Sequence, residues 1–324
     1  MTSIHNVLAL LKDDLNALDS EIRKALKSEV ALISQIAEYI IQSGGKRLRP
    51  ILHLLIANAL NVQGVEKYTM AAVIECIHTA TLLHDDVVDE SDMRRAKKSA
   101  NAVFGNAASV LVGDFLYSRA FEWMVKIDSM PIMQEMSSAT NTIAEGEVLQ
   151  LLNCHDANVS ESRYMQVIHF KTARLFEAAA RTAAILAGVD LQTQNALGDY
   201  GMYLGTAFQL IDDVLDYSGN EAEIGKHLGD DLAEGKPTLP LIYVLNHGTQ
   251  ADVAAVKTAI ESGGRADFKK VFNAINNTNA LSYTQKIAQQ EAQKAKDAIE
   301  NVLSASQYKN ALLELPIFAV SRRN

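Results

Sequence analysis

Cysteine is almost missing from this chain: its 324 residues include two, Cys76 and Cys154, in different segments. Thiols so far apart form neither a disulfide framework nor a zinc-ligand pattern, and they suit a reducing, cytoplasmic setting. Proline (5 residues), glycine (17) and aromatics (6%) are also sparse, so the frequent turn punctuation of an all-β protein is absent. Positive charge is in deficit: 30 basic against 39 acidic residues leave a net −9. That balance argues against a general nucleic-acid binder, which needs a basic face to neutralise phosphates. No apolar run reaches the ~18 residues of a membrane span, and no basic segment followed by an apolar one opens the chain. A protein that is not integral to a membrane is expected.

What remains is helix-forming. The chain is 48% apolar and 21% charged, enough to bury a large core, and Ala, Leu, Glu, Lys and Gln recur. In the opening segment Val7, Leu8, Leu11, Leu15, Leu18 and Ile22 follow helical spacing, which predicts one amphipathic helix from Ile4 to Leu26. Periodic segments continue to the end, with Pro50 placed to start a helix after the turn at Gly44 and Gly45. No strand alternation competes, and no low-complexity linker or short repeat divides the chain. The expectation is an all-α fold in a single domain over residues 1–324.

Two acidic clusters carry the chemistry. Asp85, Asp86 and Asp89 end an apolar segment, and Asp212, Asp213 and Asp216 repeat the spacing far along the chain. Residues four apart share a helical face, with Cβ atoms roughly 5–6 Å apart. Carboxylates on apolar helices repel one another and lose solvation unless a cation compensates them. All-oxygen donors of this kind suit magnesium, which also takes diphosphate oxygens. One such cluster reads equally well as a solvated helix end; two matched clusters favour a shared metal site.

A phosphorylated ligand needs cations, and they are present. Lys46, Arg47 and Arg49 occupy the glycine turn, Arg94 and Arg95 follow the first cluster, and Lys171 stands within a helix. Lys226 and Lys236 lie in the polar stretch from Gly219 to Pro240, whose length marks it as a candidate lid.

With these motifs in place, from Gly44-Gly45-Lys46-Arg47-Leu48-Arg49-Pro50 to Lys236-Pro237-Thr238-Leu239-Pro240, the sequence resembles the trans-polyprenyl diphosphate synthases, the long-chain bacterial members most of all. The resemblance implies an isoprenoid synthase helical bundle around a deep central cavity, with magnesium on the allylic diphosphate. Asp85, Asp89 and Asp212 would be the metal ligands, supported by Asp86, Asp213 and Asp216. Arg94, Lys171, Thr172, Gln209 and Lys226 would contact that diphosphate, while Lys46, Arg49, His78 and Arg95 would bind isopentenyl diphosphate. On its apolar helical surroundings alone, His78 reads as a core histidine. The implied reaction adds successive isopentenyl units to farnesyl diphosphate, making an all-trans octaprenyl chain, or one a unit shorter or longer, for a respiratory quinone side chain. The resemblance also implies a homodimer.

Product length is read as cavity depth. Cys76, Ile77, Ala80 and Thr81 precede Asp85 on one broad face, so a growing tail would pass them. Short-chain relatives carry bulky aromatics four or five residues before the first aspartate, where this chain has Ala80 and Thr81. Phe121, Trp123 and Met124 are the candidate floor. A terpene cyclase would share the ionisation step, but its second motif normally mixes Asn, Ser or Thr with Glu. A ferritin-like di-iron bundle needs two Glu-x-x-His pairs, and Glu75 with His78 is one. A non-catalytic partner subunit would lose metal ligands that this chain retains.

Overall fold

Helices dominate from one end to the other because apolar residues recur with helical period and few breakers interrupt them. The computed structural model describes residues 4–42, 44–94, 97–218, 228–264 and 266–322. In order, the helices are α1 (Ile4–Leu10), α2 (Lys12–Ala25), α3 (Ala31–Gln42), α4 (Leu48–Ala59), α5 (Glu66–Val88), α6 (Ala100–Phe104), α7 (Asn106–Ile127), α8 (Met130–Asn153), α9 (Glu161–Ile168), α10 (Arg174–Leu186) and α11 (Leu191–Ser218). After residue 227 come α12 (Asp230–Ala233), α13 (Leu239–His247), α14 (Gln250–Ser262), α15 (Phe268–Thr278), α16 (Ala280–Glu300) and α17 (Gln307–Ser321). Among the described residues, no helix is long and apolar enough to cross a membrane.

Three local departures from the sequence reading bear on the site. The opening helix is broken at Leu11, whose ψ of 15° steps out of the helical range. A two-residue antiparallel ladder, β1 (Met93–Arg94) with β2 (Lys97–Lys98), follows the first aspartate cluster, too short to show as alternation in a sequence. Between α9 and α10, residues His169–Ala173 form one wide π turn, which re-aims side chains within an otherwise continuous run.

The chain divides into two compact units. The first comprises Met1–Ser138, Leu175–Gly201 and Ala298–Glu314. Its core is made by the fully buried Leu52, Leu54, Leu55 and Ile56 of α4 and Met70, Ile74 and Ile77 of α5, and α5 packs along α7. Each such side chain contributes about 1.5–3 kcal/mol. Around the turn before α4, Gly44 and Gly45 have positive φ, and Arg47, at φ 47°, ends the turn in the left-handed region. Pro50 lies in the first turn of α4, where its missing N–H leaves no helical bond unmade.

The second unit comprises Ala139–Arg174, Met202–Asp297 and Leu315–Asn324. One of its cores gathers Tyr217, Leu232, Leu241, Val244, Val256, Ile260, Val271 and Ile275. Another joins Tyr164 and Ile168 of α9 to Leu210, Ile211 and Leu215 of α11. The helix carrying the second aspartate cluster is thus buried along the face opposite Asp212, which is half exposed.

Candidate active site

In the first unit, α5 ends at the first cluster: Asp89 is its C-cap and donates its backbone N–H to Asp85 O at 2.8 Å. Asp85 and Asp89 are half-buried, but Asp86 is only 2% exposed. Burial of a carboxylate demands compensation, and Arg94 supplies it, with Nε at 2.6 Å and Nη2 at 2.5 Å from Asp86 Oδ1. The Asp86 carbonyl accepts from Ser91 N–H and from Asn101 Nδ2 at 2.9 Å. The β1–β2 hairpin is held against the end of α5 by this cluster of bonds.

The glycine turn of the same unit brings Arg49 and His78 together, Nη1 to Nε2 at 3.3 Å. The Arg49 guanidinium also lies 4.3 Å over the Phe176 ring, a contact that fixes a cation without neutralising it. Arg47 is paired with Asp19. Lys46 lies at the surface. A small hollow opens beside His78, lined by Ile22, Ala37, Arg47, Cys76 and Leu116. Burial pushes the Cys76 thiol up to about 12, so it is no nucleophile at neutral pH.

The proposed tail-lining residues also lie in this unit. Ile77 and Ala80 are fully buried, Cys76 and Met124 nearly so, Trp123 is 8% exposed, and Thr81 and Phe121 are half-buried. Thr81 turns its hydroxyl back onto the His78 carbonyl at 2.8 Å.

In the second unit the π turn presents Lys171 and Thr172. Lys171 Nζ donates to Glu147 Oε2 at 2.5 Å and to Gln150 Oε1 at 2.7 Å. Gly146 lets the turn come close: a Cβ there would stand 2.6 Å from Lys171 N. Thr172 donates to Gln209 Oε1 at 3.0 Å, and Gln209 Nε2 donates to Asp213 Oδ1 at 2.9 Å. The other oxygen of Asp213 accepts the Tyr164 hydroxyl. Asp213 is 2% exposed, and its carboxyl is raised well above the usual range, by burial first and by the nearby Asp231 second, against the lowering effect of the Tyr164 and Gln209 bonds.

Asp212 differs. Its side chain is 39% exposed and pairs with Arg322 at 2.8 Å, the arginine itself being 4% exposed. Arg322 also donates to the Phe208 carbonyl at 2.9 Å and lies 3.8 Å over the Phe208 ring. Asp216 accepts the backbone N–H of Asp230 on Oδ1 at 3.2 Å, while its carbonyl accepts from Gly229 N–H at 2.9 Å.

The three aspartates of the second cluster therefore have three different surroundings. Among the described residues, no three His, Cys, Asp or Glu side chains are grouped as a metal ion would need; of the three expected ligands, Asp212 holds the Arg322 guanidinium, and of the supporting aspartates, Asp86 and Asp213 hold protein donors through their side chains. Arg95, Lys226 and residues 219–227 of the expected lid lie outside the described residues. Sequence reasoning missed Tyr164, Glu147 and Arg322. Only Arg322 left a signal, as half of a basic pair ending an apolar helix.

Residues 30–276 match the family described as polyprenyl synthetase, and the chain belongs to that family. Over 99% of its length it is 51% identical to octaprenyl diphosphate synthase of Haemophilus influenzae, covering 98% of that protein. The octaprenyl diphosphate synthase of Escherichia coli is 50% identical, with 99% of each chain covered. Among solved structures, a polyprenyl synthase from Caulobacter crescentus complexed with calcium and isoprenyl diphosphate superimposes with a TM-score of 0.96 at 44% identity, over 99% of this chain and 98% of that one.

Proposed function

We propose that the chain is a long-chain prenyltransferase that adds isopentenyl diphosphate units to an allylic diphosphate, farnesyl diphosphate for preference, until the octaprenyl stage. The observation that carries this reading is the near-complete coverage of octaprenyl diphosphate synthases at about half identity, in a chain that keeps both aspartate motifs. It works as one catalytic domain whose two motifs serve the same diphosphate.

Magnesium is the metal this reading requires, and the donors fit it: Asp85, Asp89 and Asp212 offer carboxylate oxygens, which hard divalent cations prefer. When bound, the metal supplies Lewis-acid stabilisation of charge on the diphosphate. Lys171, Thr172 and Gln209 hold that diphosphate, joined by Arg94 and Lys226, as its C–O bond ionises to an allylic cation. Lys46, Arg49, His78 and Arg95 hold isopentenyl diphosphate, whose alkene attacks the cation to form the new C–C bond. The departing diphosphate accepts the proton lost as the new double bond forms. Asp86, Asp213 and Asp216 support the motifs, and residues 219–240 exclude water, which would quench the cation.

Ala80 and Thr81 let the tail pass, and Phe121, Trp123 and Met124 set its limit. Location in the cytoplasm is supported by two cysteines that are both free thiols. A homodimer is supported by the exposed Val110, Leu111 and Val125 of α7, an apolar surface of the kind that marks protein contacts.

The test is incubation of the purified chain with magnesium, farnesyl diphosphate and labelled isopentenyl diphosphate, followed by sizing of the dephosphorylated products. A dominant octaprenyl product is expected, and Asp212→Ala should lower turnover by about two orders of magnitude without loss of helicity. Hydrocarbon release without consumption of isopentenyl diphosphate would reject the reading.

A further inference from the structure

Glu147 has no place in the reaction described above, yet it is bonded to a cation that does. A carboxylate close to a diphosphate repels it, so a useful role for Glu147 has to run through that cation. One turn of α8 carries Gly146, Glu147 and Gln150 against the π turn. Gly146 lies under the backbone of Phe170 and Lys171, while Glu147 Oε2 and Gln150 Oε1 both accept from Lys171 Nζ, at 2.5 Å and 2.7 Å. The π turn closes on a wide bond, Arg174 N–H donating to His169 O five residues back. Thr172, the next residue, is tied to a different helix, through Gln209 Oε1 of α11 at 3.0 Å. Two adjacent side chains are thus handed to two helices, and wide turns of this kind recur at functional sites. The Lys171 side chain is 18% exposed and that of Glu147 31%, and an ion pair that water reaches adds little to folding. Its effect is to order a long, flexible side chain: an ammonium held in advance loses less freedom when a ligand arrives.

We infer that Glu147 is a positioning residue for the allylic diphosphate: together with Gln150 it fixes the direction in which the Lys171 ammonium meets that ligand. The inference rests on the prenyltransferase reading proposed above, in which Lys171 contacts the diphosphate. Gln150 shows that a neutral amide oxygen serves as an acceptor here. Glu147→Gln therefore keeps the hold on Lys171, Glu147→Asp withdraws it by one methylene, and Glu147→Ala removes it.

The experiment uses the full chain as wild type, with each of these substitutions, with Lys171→Gln, and with Glu147→Ala and Lys171→Gln combined. Calorimetry measures the binding of inorganic pyrophosphate in the presence of magnesium. Affinity should fall ~10-fold in Glu147→Ala and stay within ~3-fold of wild type in Glu147→Gln. On the Lys171→Gln background the same Glu147→Ala change should cost less than ~2-fold, because the group it acts through is gone. In steady state Glu147→Ala should raise the KM for farnesyl diphosphate and leave that for isopentenyl diphosphate near wild type, a selectivity that general loosening of the fold does not produce. Equal affinity in wild type and Glu147→Ala would overturn the inference, as would an undiminished effect on the Lys171→Gln background. Tighter binding in Glu147→Ala would overturn it too, by making Glu147 a competitor for Lys171. Should Glu147→Ala lose its helicity, the milder pair decides: Glu147→Asp should bind pyrophosphate more weakly than Glu147→Gln, and the opposite order counts against positioning. Absence of pyrophosphate binding by wild type would reject the proposed function itself, a result that the wild-type titration alone sets apart from the others.

Discussion

Arg94→Ala separates a scaffolding role from a purely substrate-binding one. Asp86 has a side chain 3% exposed and leans on Arg94, which is 25% exposed, through two contacts to one carboxylate oxygen. Removing one partner of a buried pair typically costs about 3–5 kcal/mol, because the remaining charge is left in a poor solvent. Water reaches Arg94 over a quarter of its side chain, so about 2–4 kcal/mol is expected here. At about 2 °C per kcal/mol for a chain of this size, the thermal midpoint should fall by about 4–8 °C. Scanning calorimetry with chelator and no substrate isolates this effect from any contact with diphosphate. A double-mutant cycle with Asp86→Asn should return a coupling of about 1–3 kcal/mol. A midpoint for Arg94→Ala within 1 °C of wild type, together with zero coupling, would refute the reasoning and leave Arg94 with a role toward substrate only.

Two further outcomes are expected. Met124 is 1% exposed, so Met124→Ala opens space in the proposed floor and costs about 2–5 kcal/mol; product sizing should show chains longer than wild type, and an unchanged length would remove Met124 from the floor. His53 is held near pKa 4 rather than its ordinary 6.5, chiefly by burial and despite its bond to Ala179 O at 2.9 Å, with Lys67 nearby opposing protonation further. A depressed histidine is protonated in the unfolded chain before the folded one, so its stability is fully present above pH 6.5 and is lost as pH falls toward 4. The difference of 6.5 − 4 = 2.5 units corresponds to about 3 kcal/mol. Denaturant titration should show that slope flattened in His53→Gln, and an equal slope in both proteins would exclude His53 as its source.

The aspartate motifs, the glycine turn and the helical class were legible because each depends on short-range spacing. Asp85 and Asp89 share a face through the helical repeat, and Gly44-Gly45 before Pro50 is local turn chemistry. The β1–β2 ladder was not legible, since two residues per strand leave no alternation and Arg94 is drawn back by a carboxylate eight residues earlier. Nor was the π turn, which lies against Gly146 in a contact that no local pattern displays.

The sequence by itself determined what kinds of groups this protein carries: two sets of carboxylates, a basic turn, and small residues at Ala80 and Thr81 before the first set. Only tertiary structure decided how each group is used. Asp212, Asp213 and Asp216 are chemically identical, yet one is half exposed against Arg322, one is buried under Tyr164 and Gln209, and one receives a backbone amide. A carboxylate's charge state and availability follow from its desolvation and from the donors within reach. Apart from Gln209, four residues before Asp213, those donors come from residues 14, 49 and 110 positions away in the chain, beyond anything a local pattern specifies.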